Sequence, residues 1–351
     1  MAELTIDLAA IRANYKILQN KVGESCEVAG VVKADAYGLG VGSVAQTLQK
    51  AGCKTFFVAT LPEAIELRLI LGDGPAIAML NGYFEGDASL YAENNIAPVI
   101  NDLAQLKAWQ KSGSGLDAIL HVDTGMNRLG VRAKEIQDEE LNGIKTIMSH
   151  FSSSEEPENP TNKKQADQFE AIAQKFPNLK KSLCNSGGIF LDKAYHYDLV
   201  RPGMALYGLN PTPYQDKENQ SVVRLNAKIL QTHEANNGET LGYNETYRMN
   251  NNTKLAIVDI GYADGIFRSL SNAGNLYWKD YACPIRGRVS MDLTIVDLCN
   301  IPDPEMPQAG ESLEVISENQ TADDLAKAAG TIGYEILTSL SHRYERKYIN
   351  P

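Results

Sequence analysis

No apolar run in this sequence is long enough to cross a bilayer, and the opening MAELTIDLAAIRANYK mixes charge into every turn. A membrane span and a secretory leader are therefore not expected, and the default location is cytoplasmic. The chain also lacks a basic stripe. It has 33 Lys and Arg against 44 Asp and Glu, a net charge of −11, with the basic residues dispersed. Nothing is arranged to neutralise a phosphate backbone, so nucleic acid is excluded as a partner. Cysteine is scarce: Cys26, Cys53, Cys184, Cys283 and Cys299 are odd in number, scattered and never in CxxC spacing. That pattern predicts neither a disulfide framework nor a metal site, only reduced thiols. There is no internal repeat and no low-complexity tract.

What the chain does contain is alternation. Its composition, 43% apolar and 22% charged over 351 residues, is that of a protein folded throughout, with length for about two domains. From residue 1 to about 210, short β-branched apolar runs alternate with amphipathic helical stretches, the habit of βα units. The candidate strands are VAGVV (28–32), TFFVA (55–59), AIAML (76–80), APVI (97–100), AILHV (118–122), IKTIM (144–148), SLC (182–184) and YDLV (197–200). Eight parallel strands with intervening helices close a (β/α)8 barrel. Asp7 is placed to cap the helix opening with LAAIRANYKIL. The acidic, proline-broken SSSEEPENPTN at 152–162 reads as a surface loop. Beyond Pro211-Thr212-Pro213 the segments VVRLNAKILQTHE, TKLAIVDIGYA, ACPIRGRVS, LTIVDL and SLEVIS read as strands, with one helix, TADDLAKAAG. The fold class is α/β plus β: an N-terminal (β/α)8 TIM-type barrel over 1–220 and a C-terminal, mainly β domain over 221–351.

Lys33 directly follows the first strand, at the carboxyl end where barrel active sites form. A partly desolvated lysine there can lose its proton and form a Schiff base with an aldehyde cofactor. Taken alone it reads as a solvated loop lysine. Convergence changes that reading. Asp123 and Arg128 follow strand five in HVDTGMNRLG, His150 follows strand six, Asn185 and Ser186 follow strand seven, and Arg201 and Gly203 follow strand eight. One barrel mouth would collect them all. Ser186-Gly187-Gly188 and Pro202-Gly203-Met204 offer small residues whose amides suit a phosphate, although each alone is also an ordinary glycine turn.

The segment VVKADAYGLG resembles the cofactor-lysine signature of the alanine racemases. The similarity continues through DTGMNRLG, HF at 150–151, CNSGG, LVRPGMALYG, GYNETY, DIGYADG and GRVSMD, in that family's order. The resemblance implies a pyridoxal 5′-phosphate enzyme, an isomerase interconverting L- and D-alanine to supply cell-wall peptidoglycan, built as a homodimer with shared active sites. It implies that Lys33 holds the cofactor and serves as one of two bases. Tyr37, Ser186 and the amides of Gly203 and Met204 would bind the phosphate. Arg128 would meet the phenolic oxygen and the substrate carboxylate, His150 would pack near the pyridine ring beside Asn185, and Arg201 would face the ring nitrogen. The second base falls on Tyr243 in GYNETY rather than Tyr262 in GYADG, nineteen residues on. Tyr262 and Asp292 would line the entrance and the Met291 amide would meet the substrate carboxylate, with these two, Tyr243 and Met291 supplied by the partner subunit. Without the resemblance, Tyr243 reads as a packing tyrosine and Met291 as core.

Three positions depart from the family pattern. His121 stands seven residues before Arg128, where many members carry a lysine, often carbamylated. Arg128 then needs another orienting partner, such as an anion. In place of S-Y-R-V-P-R the chain reads Ser341-His342-Arg343-Tyr344-Glu345-Arg346, so His342 and Tyr344 are both candidates for a phosphate contact. Ser182 replaces a histidine common before the Asn-Ser pair.

Racemisation asks for proton carriers on opposite faces of a planar carbanion. As an aldimine, the substrate would lose its α-proton to one base and regain one from the other. Arg201, whose pKa is too high to yield a proton, would leave the ring nitrogen unprotonated and the electron sink weak, which disfavours decarboxylation. Tyr243, a poor base at an ordinary pKa of about 10, would be assisted through His150 and Arg201. The alternatives are a broader racemase acting on serine or lysine, a fold-type III decarboxylase, and a cofactor carrier without catalysis. The second domain argues against the carrier.

Overall fold

The computed structural model describes residues 2–112, 115–136, 140–212 and 218–351; Pro213, at the expected boundary, lies outside them. The chain forms two compact units, one of Ala10–Gln220 and one of Met1–Ala9 with Ser221–Pro351. Strand β1 (Glu3–Asp7) belongs to the second. The first contains β2 (Glu27–Val28), β3 (Gly30–Val31), β4 (Thr55–Val58), β5 (Ala76–Met79), β6 (Ile96–Ile100), β7 (Ala118–Asp123), β8 (Val131–Arg132), β9 (Ile144–Met148), β10 (Lys180–Ser182) and β11 (Leu199–Val200).

The order β10-β9-β7-β6-β5-β4-β3 is parallel throughout, with β8 attached to β7. The first stave is divided at Ala29. Its β3 half pairs with β4, and its β2 half pairs in parallel with β11 at Leu199↔Glu27 and Val200↔Val28. The ring closes where the Asp198 and Arg201 amides donate to the carbonyls of Lys181 (3.1 Å) and Cys184 (2.9 Å). Every residue of β7 is buried, because a barrel stave is covered on both faces and reads as a continuous apolar run. Gly30 sits tightly under its neighbours: a Cβ there would lie 3.2 Å from the Leu48 side chain and 3.3 Å from that of Phe56.

Helix starts follow from capping chemistry. Helix Leu61–Leu71 opens on a reciprocal box between Thr60 and Glu63. Helix Pro160–Ala173 opens on Asn159, whose side chain accepts the Thr161 amide at 3.0 Å. The loop expected over 152–162 therefore ends at this cap, with proline in the first helical turn. The strand expected over 182–184 is shifted to Lys180–Ser182, and the one expected over 197–200 is shortened to Leu199–Val200.

The second unit adds β12 (Val223–Ala235), β13 (Thr240–Leu241), β14 (Tyr247–Arg248), β15 (Thr253–Val258), β16 (Asn275–Trp278), β17 (Tyr281–Pro284), β18 (Thr294–Asp297), β19 (Ser312–Ile316) and β20 (Glu345–Ile349). Its main sheet runs β17-β16-β19-β12-β1-β20, with β15 on β12 and β18 on β15. Register shifts at Leu225/Asn226 and Ile229/Gln231 let the long β12 serve several neighbours. Residues 1–9, assigned by sequence to the barrel, are corrected to this unit. Leu4 and Ile6 are fully buried by alternation, and β1 pairs antiparallel with β12 and parallel with β20. The expected helix is found at Ala322–Ala329, capped by Thr321 and stopped by Gly330 at φ 74°. Among the described residues, no helix is long and apolar enough to cross a membrane.

Candidate active site

Lys33 leaves the carboxyl end of the first barrel stave and enters an unusual turn. Ala34, Asp35, Ala36 and Tyr37 all have φ between 52° and 59°, so four consecutive L-residues wind left-handed. Such residues cost about 1–2 kcal/mol each relative to the right-handed form, so the surroundings must hold them. The Ala36 amide donates to the Val32 carbonyl at 2.9 Å and the Gly40 amide to that of Asp35 at 3.0 Å. The Asp35 carboxylate accepts the Val41 amide at 2.7 Å, and Glu63 accepts the Ala34 amide at 2.8 Å. The Tyr37 ring packs on Tyr207, centroids 4.6 Å apart, and the Tyr207 hydroxyl donates to the Val31 carbonyl at 2.8 Å. Gly203 completes the cradle: a Cβ there would stand 2.2 Å from the Tyr37 hydroxyl.

Around this turn the barrel mouth is cationic. Arg201 is buried, and its guanidinium donates to the Ser182 hydroxyl and the Ser149 carbonyl, with Nη2 3.5 Å from His150 Nδ1. Burial pushes Arg201 down to about 10, which leaves it charged at neutral pH. Ser182 in turn donates to the Leu199 carbonyl at 2.5 Å. Ser182, at the position where the resemblance implied a histidine, thus supplies Arg201 with an acceptor. His150 is held well below the ordinary imidazole range by burial first, then by Arg201, Arg128, His121 and Lys33. Arg201, Arg128, His121 and Lys33 thus all act electrostatically on His150.

His121 is pushed down to about 4 by burial and then by Arg201 and Arg128. Its Nδ1 lies 2.8 Å from Asn101 Oδ1, whose amide nitrogen already donates to Leu80 and Val99 carbonyls, so the ring proton sits on Nδ1. A neutral His121 offers Arg128 no negative charge. Among the described residues the exposed Arg128 guanidinium makes no hydrogen bond or ion pair. Lys33 is half-buried, and burial, then Arg128, depress its pKa while Glu63 opposes them.

Asp123, drawn to the mouth by sequence, is committed elsewhere: it pairs with Arg132 at 2.8 Å and accepts the amides of Gly125 and Asn127. Ser186 Oγ accepts the amides of Gly203 (3.0 Å) and Ala205 (3.3 Å), bringing the two glycine turns together. Short helices at Gly187–Phe190 and Met204–Tyr207 follow these turns. Asn185 Oδ1 accepts the Ser154 hydroxyl and the Gly188 amide, and its amide nitrogen lies 3.4 Å from His150 Nε2.

The remaining candidates lie in the second unit. The Tyr243 side chain is exposed to 69% on the turn after Gly242, where a Cβ would approach the Arg288 amide at 3.2 Å. The segments that carry Tyr262 and Met291 are joined by backbone bonds: the Tyr262 amide donates to the Ser290 carbonyl and the Ala263 amide to that of Met291, each at 3.0 Å. A Cβ on Gly261 would fall 2.3 Å from the Met291 carbonyl, so GYADG needs its first glycine. The Met291 amide donates to no acceptor among the described residues. Arg343 bridges Asp292 at 2.9 Å and Asp264 at 3.2 Å. Tyr344, expected to contact phosphate, is buried and gives its only hydroxyl proton to the Asp264 carbonyl at 2.6 Å. That bond removes it as a phosphate donor, while His342 is exposed. The left-handed geometry of Ala34–Tyr37, the role of Glu63 and the Ser182 contact were all missed by sequence reasoning, because Ala34–Tyr37 carry no glycine and the other two depend on tertiary contacts.

A lysine whose ammonium is disfavoured, set among Arg128, Arg201 and neutral imidazoles, fits an anionic aldehyde that condenses with an amine. The Tyr37, Ser186 and Gly203 cradle fits a small polar group brought against backbone. Fold and site together define a β/α-barrel protein with a half-buried lysine at a cationic barrel mouth.

Comparison with known proteins makes the class specific. Residues 6–211 match the alanine racemase N-terminal domain and residues 222–348 the alanine racemase C-terminal domain. Alanine racemases from Cereibacter sphaeroides and Rickettsia canadensis are each 42% identical, covering 99% of this chain and 98% and 99% of theirs. A crystal structure of alanine racemase from Bartonella henselae with covalently bound pyridoxal phosphate superposes with a TM-score of 0.95 at 38% identity, covering 99% of both chains. The chain belongs to the alanine racemase family.

Proposed function

We propose that this chain interconverts L- and D-alanine, with pyridoxal 5′-phosphate held on Lys33 and with Lys33 and Tyr243 as the two bases. The observation that carries the reading is Lys33 itself, half-buried at a cationic barrel mouth with its ammonium disfavoured by burial and Arg128. When bound, the cofactor withdraws electrons from the α-carbon of an amino acid and lowers the barrier to removing its α-proton.

The chain's own groups do the rest. Tyr37, Ser186 and the amides of Gly203 and Met204 bind the phosphate, the Gly203 amide exchanging its bond to Ser186 Oγ for one to the phosphate; of the two C-terminal candidates only the exposed His342 is left for that contact. Arg128 takes the phenolic oxygen and, with the Met291 amide, the substrate carboxylate. Arg201, kept charged, donates toward the ring nitrogen and leaves it without a proton. Arginine has only donors, so His150 Nδ1 accepts from Arg201 and the ring proton sits on Nε2, the Asn185 amide nitrogen 3.4 Å away donating to the Phe151 carbonyl instead. Nε2–H then donates to the Tyr243 oxygen and stabilises its phenolate. Lys33 moves a proton at one face of the α-carbon and Tyr243 at the other.

Tyr243, Tyr262, Met291 and Asp292 act on the partner's barrel in a homodimer. The exposure of Tyr243 (69%), Met291 (54%) and Tyr262 (43%) on a single chain supports this. Tyr262 and Asp292, the latter fixed by Arg343, line the entrance. The product serves cell-wall peptidoglycan, and the free cysteines, four of them buried, suit the reducing cytoplasm.

Chiral analysis of an L-amino-acid panel tests the substrate. L-Alanine should be converted to the racemate and Lys33→Ala should abolish conversion. Selective turnover of serine or lysine with alanine inert would overturn it.

A further inference from the structure

Glu63 lies in the first turn of helix Leu61–Leu71, outside every motif considered so far. Its two carboxylate oxygens bind different parts of the barrel mouth. Oε1 accepts the Ala34 amide at 2.8 Å, at the residue immediately after Lys33. Oε2 accepts the amides of Ala59 (2.8 Å) and Thr60 (3.1 Å), at the end of the neighbouring stave β4.

We propose that Glu63 is a positioning residue for Lys33, its carboxylate tying the first amide of the strained left-handed turn to the end of stave β4. Capping the helix accounts for Oε2 and the Thr60 amide, but it does not require Oε1 to reach Ala34. Ala34 begins the run of positive φ, and its amide has to be oriented before Lys33 can point from the strand end into the mouth. A carboxylate suits this because both oxygens accept and none donates; a glutamine would turn an N–H toward one pair of amides. The same carboxylate opposes the depression of the Lys33 ammonium.

The proposal rests on Lys33 carrying the cofactor, and the test separates the two. Apo-protein is incubated with pyridoxal 5′-phosphate across a pH series, trapped with borohydride, and the modified residue located by mass spectrometry. Wild-type protein should be trapped at Lys33; trapping at other lysines only would sink the cofactor assignment, whatever Glu63 does. Given trapping at Lys33, Glu63→Ala should slow it by about tenfold, the order expected for losing hydrogen bonds to a charged acceptor. Glu63→Gln should move the pH midpoint of trapping downward, since the opposing anion is gone.

Thr60→Ala is the control, because it weakens the helix cap and leaves the Ala34 contact. It should trap like wild type, with its thermal unfolding lowered. Unchanged trapping in both Glu63 variants, or the same change in Thr60→Ala, would overturn the positioning role.

Discussion

At His121, seven residues before Arg128, burial decides the charge state. The imidazole is buried and faces Arg201 and Arg128, so it stays neutral with a folded pKa of about 4, against 6.5 in the unfolded chain. Between those values the unfolded chain binds the extra proton. The stability contributed by neutral His121 is therefore complete above about pH 6.5 and is lost as pH falls toward 4, with a limiting slope of about 1.4 kcal/mol per pH unit. His150, depressed for the same reason, adds to the slope. Urea unfolding followed from pH 7 to 4 should show this loss, and His121→Gln should flatten it. An identical slope in the variant would mean that His121 is exposed or charged in the folded protein. Arg128 is consequently left for its ligands to orient, which fits its lack of partners among the described residues.

Among the elements, the left-handed turn after Lys33 carries four consecutive non-glycine residues at positive φ. It aims Tyr37 at Gly203 and gives Glu63 an amide to hold. Ala34 is exposed, so Ala34→Gly relieves the backbone without emptying a cavity. The relief of about 1–2 kcal/mol, less about 0.5–1 kcal/mol for the freer unfolded chain, should leave a net gain of about 0.5–1 kcal/mol in urea unfolding. A lower midpoint would place Ala34 outside the left-handed region.

The barrel was legible because its staves are buried on both faces and read as unbroken apolar runs, as AILHV does within Ala118–Asp123. The turn was not, since Ala34–Tyr37 carry no glycine and their geometry is imposed by tertiary contacts. Strand β1 was missed for a related reason. ELTID alternates correctly, but its partners β12 and β20 lie more than two hundred residues away in sequence. The lysine and the strand-end cations were visible as positions; the commitment of Asp123 to Arg132, and of Tyr344 to Asp264, depended on contacts that no local pattern encodes.

For the whole molecule, the division of labour between the two units matters most. The barrel unit carries Lys33, Arg128, His150 and Arg201, while the other unit carries Tyr243, Tyr262 and Met291 on exposed surface. A head-to-tail pairing of two copies would bring Tyr243 of each onto Lys33 of the other and give two equivalent sites. Neither Lys33→Ala nor Tyr243→Phe chains alone should racemise alanine. Mixed in equal amounts and allowed to exchange subunits, they should form heterodimers in which one of the two sites keeps both bases. With random pairing about a quarter of the wild-type sites return, so D-alanine formation from L-alanine should recover to about a quarter of the wild-type rate. No recovered D-alanine, once mass spectrometry has confirmed the heterodimer, would contradict the assignment of Lys33 and Tyr243 to one shared site.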